Sequence, residues 1–287
     1  MATQPRAALL VLGAALVAGC SAAPAHRAAN LARSAQSLPS APPPFVAPPA
    51  TSPTTVAPAA PTRPDATTTT TSRVAAAAAC PTNPVSSLAS TGAARQLITV
   101  EGPAYSSTVA TLETWQREGA CWAPVAGPWQ ARVGENGFSD HPIEGDGTTP
   151  TGLYSIGPTM YGNAPNPGVQ ETYHRLVCGD WWDEDPTSPQ YNTFQHVACG
   201  QQPPFGGGSE ALWKETAAYP SFAVIDYNTA PVVPDAGSAI FLDADTGTPT
   251  DGSVALPLGE LDQVLRWINP ADSPAVVMAP SVEMGRF

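Results

Sequence analysis

The pattern of apolar positions changes near residue 80. Before it, apart from one short apolar run, no segment repeats with the period of a helix or a strand. After it, apolar residues fall into short blocks bounded by Gly and Pro. Arg95-Gln-Leu-Ile-Thr-Val100 predicts a strand. Ser107 to Trp115 is β-branched and roughly alternating, so it predicts a second strand pairing with the first across Gly102-Pro103. Phe222 to Tyr227 and Ala239 to Leu242 are continuous apolar runs and predict buried strands. Ala275 to Met278 predicts a last one. Leu261, Val264, Leu265 and Ile268 share one helical face, and Asn269-Pro270 stops that helix. The fold class expected for 80–287 is mainly β with a few helices, on a length sufficient for one sizeable core.

Residues 1–19 predict an export signal. Arg6 is the positive start, and Ala7 to Ala18 is an apolar run too short to span a bilayer as a helix. Leu16-Val-Ala-Gly-Cys20 resembles a bacterial lipobox. That resemblance implies cleavage before Cys20, lipidation of its thiol, and a protein anchored at the extracytoplasmic face of the cell membrane; the alternative is an ordinary signal peptide. Residues 20–79 are Ala, Pro, Thr and Ser, with Pro42-Pro43-Pro44 and a Thr67 to Thr71 run. Such a composition buries no core and predicts a disordered tether. It would reach roughly 45 Å as a coil and about 180 Å as polyproline helix.

Charge is unevenly divided. The chain has 12 basic and 24 acidic residues, and residues 1–79 contain five of the basic ones and a single acidic one, Asp65. The remainder therefore carries seven basic and 23 acidic residues, a net of −16. That argues against nucleic acid as a partner and is compatible with a cationic or mixed-charge ligand. With Cys20 assigned to lipid, Cys80, Cys121, Cys178 and Cys199 remain, an even number for an oxidising compartment. Of the three connectivities, Cys80–Cys121 and Cys178–Cys199 is favoured, because each pair brackets its own segment. The spacings of these Cys with His174 and His196 fit no zinc site. No cofactor or metal is expected.

Two further segments bear on chemistry. The first is Glu144-Gly-Asp-Gly147-Thr-Thr-Pro150-Thr-Gly152, a turn-rich loop in which Asp146 is placed to bond nearby amides. The second is Gly237 to Pro257, containing the strand Ala239 to Leu242, then Asp243, then Gly252-Ser253-Val254. Together they resemble the L,D-transpeptidase (YkuD-type) domain, a peptidoglycan cross-linking fold. In that family a His follows the strand and a Gly-Cys pair comes later. Here Asp243 stands at the His position and Ser253 at the Cys position. The resemblance covers most of residues 90–280. It implies a cell-wall lipoprotein that acts on or binds peptidoglycan stem peptides, with Asp146 and Gly147 in a loop beside the cleft.

The two altered positions bear on whether the protein is an enzyme. Cys is a ready nucleophile because a few per cent is thiolate at neutral pH, whereas a Ser hydroxyl needs a positioned base. A carboxylate of ordinary pKa is a poor acceptor for an alcohol proton unless burial raises its pKa. An impaired relative is therefore expected. The alternatives are acyl transfer or carboxypeptidase activity through Ser253, with Asp243 or a borrowed His141, His174 or His196 as base. The Gly252 and Val254 amides are expected to supply an oxyanion-type pocket. Asp180-Trp-Trp-Asp-Glu-Asp-Pro186 reads either as a cleft wall meeting a diaminopimelate-type amine or as a solvated acidic loop with its Trp rings packed inward. Asp243, Asp245 and Asp251 form an oxygen-rich loop, but it fails the EF-hand pattern because Val254 stands where Glu is needed.

Overall fold

The computed structural model describes residues 79–206 and 208–287. The signal segment, Cys20 and the tether up to residue 78 lie outside the described residues. The chain proceeds through β1 (Gln96–Gly102), β2 (Val109–Glu118), β3 (Cys121–Arg132), β4 (Phe138–Ser139) and β5 (Thr149–Pro150). It continues with β6 (Gly152–Gly162), β7 (Thr172–Arg175), β8 (Asp180–Asp183), β9 (Thr193–His196) and β10 (Glu210–Ala211). β11 (Phe222–Ile225), β12 (Phe241–Ala244), β13 (Val254–Leu256), α1 (Leu258–Trp267) and β14 (Ala275–Pro280) complete it. The domain is mainly β, and α1 is the one α-helix among the described residues.

The main sheet runs β11-β12-β13-β3-β2-β1-β14-β6-β7, and β11 also pairs with β6, so eight strands close into a ring. Closure is possible because β6 is long. Its first residues, Gly152 to Ser155, pair with β14, and Ile156, Met160 and Tyr161 pair with β11. β1 is buried on both faces, as a continuous apolar run should be. Ile98 and Val100 join the main core, and Leu97 joins a second cluster with Trp115, Trp122 and Val277. Leu261, Val264 and Leu265 turn one face of α1 into the main core, with Ile268 just past its end. Glu260 in the first turn and Arg266 in the last both favour the helix dipole.

β1, β2, β11, β14 and α1 fall where the periodicity places them, whereas β12 begins two residues later than the Ala239–Leu242 run, because Ala239 stands at φ +53° and is not extended. β3 and the length of β6 do not show in the pattern. Pro124 and Pro128 demote β3 as a strand, yet it pairs along nearly all of β2, with register shifts near Thr114 that absorb the prolines. The acidic stretch at 180–186 is not a solvated loop. Asp180 and Asp183 lie on β8 with no exposure, and Trp182 packs edge-on against Phe241. The β8-β9-β10 sheet and β11-β12 share a third core of Leu176, Trp182, Leu212, Tyr219, Phe222 and Phe241.

Cys80 is bridged to Cys121 and Cys178 to Cys199, with Cα separations of 5.2 and 5.3 Å. Non-reducing peptide mapping should return these two linkages, and a Cys80–Cys178 peptide would contradict the topology. Replacing Cys178 and Cys199 together by Ser should cost about 3 kcal/mol in urea unfolding, the chain-entropy value for a loop of this size. No loss would mean that β8 and β9 hold that loop closed unaided.

Candidate functional site

Asp243 and Ser253 meet because β12 and β13 are parallel neighbours, with Leu242 opposite Val254 and Asp243 opposite Ala255. A parallel pair needs a crossover, and residues 245–253 supply it. The loop is held by Thr149, which accepts from Gly134 N–H at 2.8 Å and donates to the Gly252 carbonyl at 2.7 Å. Gly252 has φ +133°, and a Cβ there would meet the Thr148 carbonyl at 2.9 Å, so glycine is required. The Gly–Asp–Gly loop thus grips the segment that carries Ser253. Asp146 fixes its own turn by accepting from the amides of Ile143 and Thr148 at 2.8 and 2.9 Å. Gly147 stands at φ +68° and accepts from the Asn136 amide.

Ser253 is 8 % exposed and Asp243 5 %. The Ser253 hydroxyl accepts from Phe241 N–H at 3.0 Å and donates to the Ala239 carbonyl at 3.3 Å. Ala239 has φ +53°, a rare conformation for a residue with a Cβ. It is steadied by Asn192, whose side chain accepts from the Ala239 amide and from the Trp182 indole and donates to the carbonyls of Tyr227 and Asn228. The sequence pattern gave no sign of Asn192. The Gly252 amide donates to Thr250 Oγ1 at 3.2 Å, and Val254 is engaged in β13, so the oxyanion-type role expected of these two amides finds no support.

Both residues line a cavity of about 680 Å³. Seven carboxyl side chains reach it, from Glu144, Asp146, Glu184, Glu210, Glu215, Asp243 and Asp251; among the described residues no Lys, Arg or His does. Burial pushes the Asp243 carboxyl well above the ordinary Asp range, and the Ser253 hydroxyl offsets this only in part. Burial, then the charges of Glu210 and Glu144, raise Glu184 to about 9. Glu210 is raised by burial although the Tyr219 hydroxyl donates to it at 2.6 Å. Glu184 Oε1 is shielded from solvent and has no hydrogen-bond partner. Glu210, Glu215 and Tyr219 sit in a stretch whose apolar pattern is weak, and nothing in the sequence marked them.

The histidines are elsewhere. His174 Nε2 and His196 Nδ1 lie 2.8 and 2.6 Å from the two oxygens of the fully buried Asp180 carboxylate. His141 does not line the cavity either. The calcium reading also loses its ligands. Asp245 takes Arg132 Nε at 2.7 Å and the Gly247 amide at 2.6 Å. Among the described residues, no three His, Cys, Asp or Glu side chains stand close enough to share a metal ion. The Ser253 hydroxyl is thus engaged on both sides, beside a carboxyl that burial raises well above the ordinary Asp range.

No protein family, no curated protein and no solved structure matches the chain.

The raised carboxyls make stability depend on pH. Asp243, Glu184 and Glu210 bind protons in the folded state that the unfolded chain releases above about pH 4. Their contribution is complete below that pH and declines as pH rises. Asp140, lowered by Arg286 and Thr151, has the opposite sign, and so does Asp180, where the Val177 amide and the two histidines outweigh burial. Both act below about pH 4. Stability in urea should therefore fall from pH 5 to pH 8. Glu184→Gln should be more stable than wild type at pH 8 and nearly equal at pH 5. Equal destabilisation at both pH values would mean that Glu184 is ionised in the folded protein.

Proposed function

We propose that this domain is a cell-wall protein of L,D-transpeptidase type that binds peptidoglycan stem peptides in the Asp243–Ser253 cavity without transferring their acyl groups. The reading includes Cys20 as its lipid anchor to the extracytoplasmic membrane face. One observation carries the absence of chemistry. The Ser253 hydroxyl is hydrogen-bonded to Phe241 N–H and the Ala239 carbonyl, and burial raises the neighbouring Asp243 carboxyl well above the ordinary Asp range. Attack by Ser253 would need Asp243 ionised and the bond to Ala239 broken in the same step. The binding half of the reading is supported by a cavity large enough for several residues of an extended peptide. It is supported too by the joined loops that the family resemblance marks, Glu144–Gly152 and Gly237–Pro257.

The test uses a carbapenem, a β-lactam that acylates the cysteine of that family, with intact mass as the readout. Wild type should form no adduct. Ser253→Cys should form one slowly, because a thiol without its base keeps only a small thiolate fraction. Asp243→His with Ser253→Cys should form it faster. Rapid acylation of wild type at Ser253 would overturn the non-catalytic reading. No adduct on either folded cysteine variant would overturn the family-type cleft.

A further inference from the structure

We propose that His174, Asp180 and His196 form a clasp, tightened by acid, that fastens the β8-β9-β10 sheet to the edge of the main sheet. The inference does not depend on what the cavity binds. Asp180 opens β8 and stands opposite His196 in the β8–β9 ladder, whereas His174 lies on β7, opposite Tyr161 of β6. The carboxylate therefore joins three strands and the two sheets. It has no exposure, so all of its compensation must come from the protein. Its Oδ1 takes His196 Nδ1 at 2.6 Å, and its Oδ2 takes His174 Nε2 and the Val177 amide, each at 2.8 Å. Two of the three donors are thus imidazoles, and water reaches both: the His174 side chain is 40 % exposed and that of His196 56 %. A buried acceptor held by groups that exchange protons with solvent responds to pH.

Each ring donates to Asp180 in either charge state, His174 as its Nε2–H tautomer and His196 as its Nδ1–H tautomer when neutral. Protonation therefore breaks neither bond. It makes both charge-assisted, and such bonds are roughly twice as strong as neutral ones. Among the described residues, Asp180 is the only carboxylate paired with either ring. The Tyr161 phenol faces the carboxylate from β6, and burial and the Asp180 charge hold it above the ordinary Tyr range, so it stays uncharged. Phe194 of β9 packs against His174, and the Leu212 amide of β10 reaches the Asp180 carbonyl. Arg175, next to His174 on β7, is exposed. An imidazole of an opened chain charges below about pH 6.5. Asp180 favours the charged rings in the closed state; in turn the Val177 amide and the two rings bring its carboxyl below the ordinary range against burial. The gain is complete below that pH and is lost as pH rises and the rings discharge. Glu184 follows β8 and Glu210 opens β10, both on the cavity wall, so a slackened clasp loosens that wall.

Hydrogen exchange read by mass spectrometry on the full chain tests this at pH 5.5 and pH 7.5, with rates corrected for the intrinsic pH dependence of amide exchange. Relative to α1, peptides covering β8 and β9 should be about tenfold better protected at pH 5.5. His174→Gln and His196→Gln each keep a donor without the charge and should each leave about a threefold difference; the double variant should show none. Glu184→Gln removes a cavity carboxyl that also titrates, and it should keep the difference. Equal protection of wild type at the two pH values would overturn the clasp, and so would a difference that survives in the double variant. Nitrogen-15 NMR of the imidazoles in wild type at pH 8.5 needs no variant to fold. His174 should be the Nε2–H tautomer and His196 the Nδ1–H tautomer, and the opposite tautomer at either ring would overturn the clasp as well.

Discussion

The parallel pairing of β12 with β13 is the constraint on which the site depends. Antiparallel neighbours could be joined by a tight turn. A parallel pair forces the chain to travel back along the sheet, and the return loop at 245–253 delivers Ser253 beside Asp243. The loop would be loose without its anchors. Thr149 ties it to Gly134, and Arg132 on β3 ties its start through Asp245. Gly252 completes the return at a backbone angle that no side chain would tolerate. Ring closure through β6 and β11 then fixes β11 and β12 against the rest, and with them Phe241, whose amide holds the Ser253 hydroxyl. Fold and site are therefore one arrangement.

The second governing feature is the burial of carboxyls with no cation to answer them. Buried charge is expensive, and a protein commonly neutralises the group or pairs it. Elsewhere this domain does pair: Asp140 with Arg286, Asp245 with Arg132, Asp180 with two histidines. In the cavity it does not. Burial raises both Asp243 and Glu184 well above the ordinary carboxyl range, Glu184 to about 9. Unanswered polar groups of this kind reduce stability, and they collect where a ligand is later to be met.

What was legible in the sequence follows from how local each feature is. The helical face of Leu261, Val264, Leu265 and Ile268 and the runs at 96–100, 222–225 and 275–278 depend on local periodicity, and the elements appear there. The two disulfides span short segments, so proximity along the chain was a fair guide. The nearness of Asp243 to Ser253 was legible through a family resemblance and a return loop of suitable length. Features made by distant contacts were not legible. Glu210 and Tyr219 reach the cavity only because β10 adds to β8 and the chain then turns into β11. Asn192 owes its role to three segments meeting at Ala239. The 180–186 stretch misled because its charges suggested solvent, whereas Asp180 is enclosed by partners at 174, 177 and 196 that only the folded chain assembles.

The central claim is that burial beside Ser253 raises the Asp243 carboxyl well above the ordinary aspartate range. A carbon-13 NMR titration of the aspartate side-chain carboxyls measures this directly, with the Asp243 resonance assigned by its loss in Asp243→Asn. The account predicts a titration midpoint well above the ordinary aspartate value. An Asp243 resonance that titrates near the ordinary aspartate value of about 4, and is fully ionised at pH 7, would contradict it.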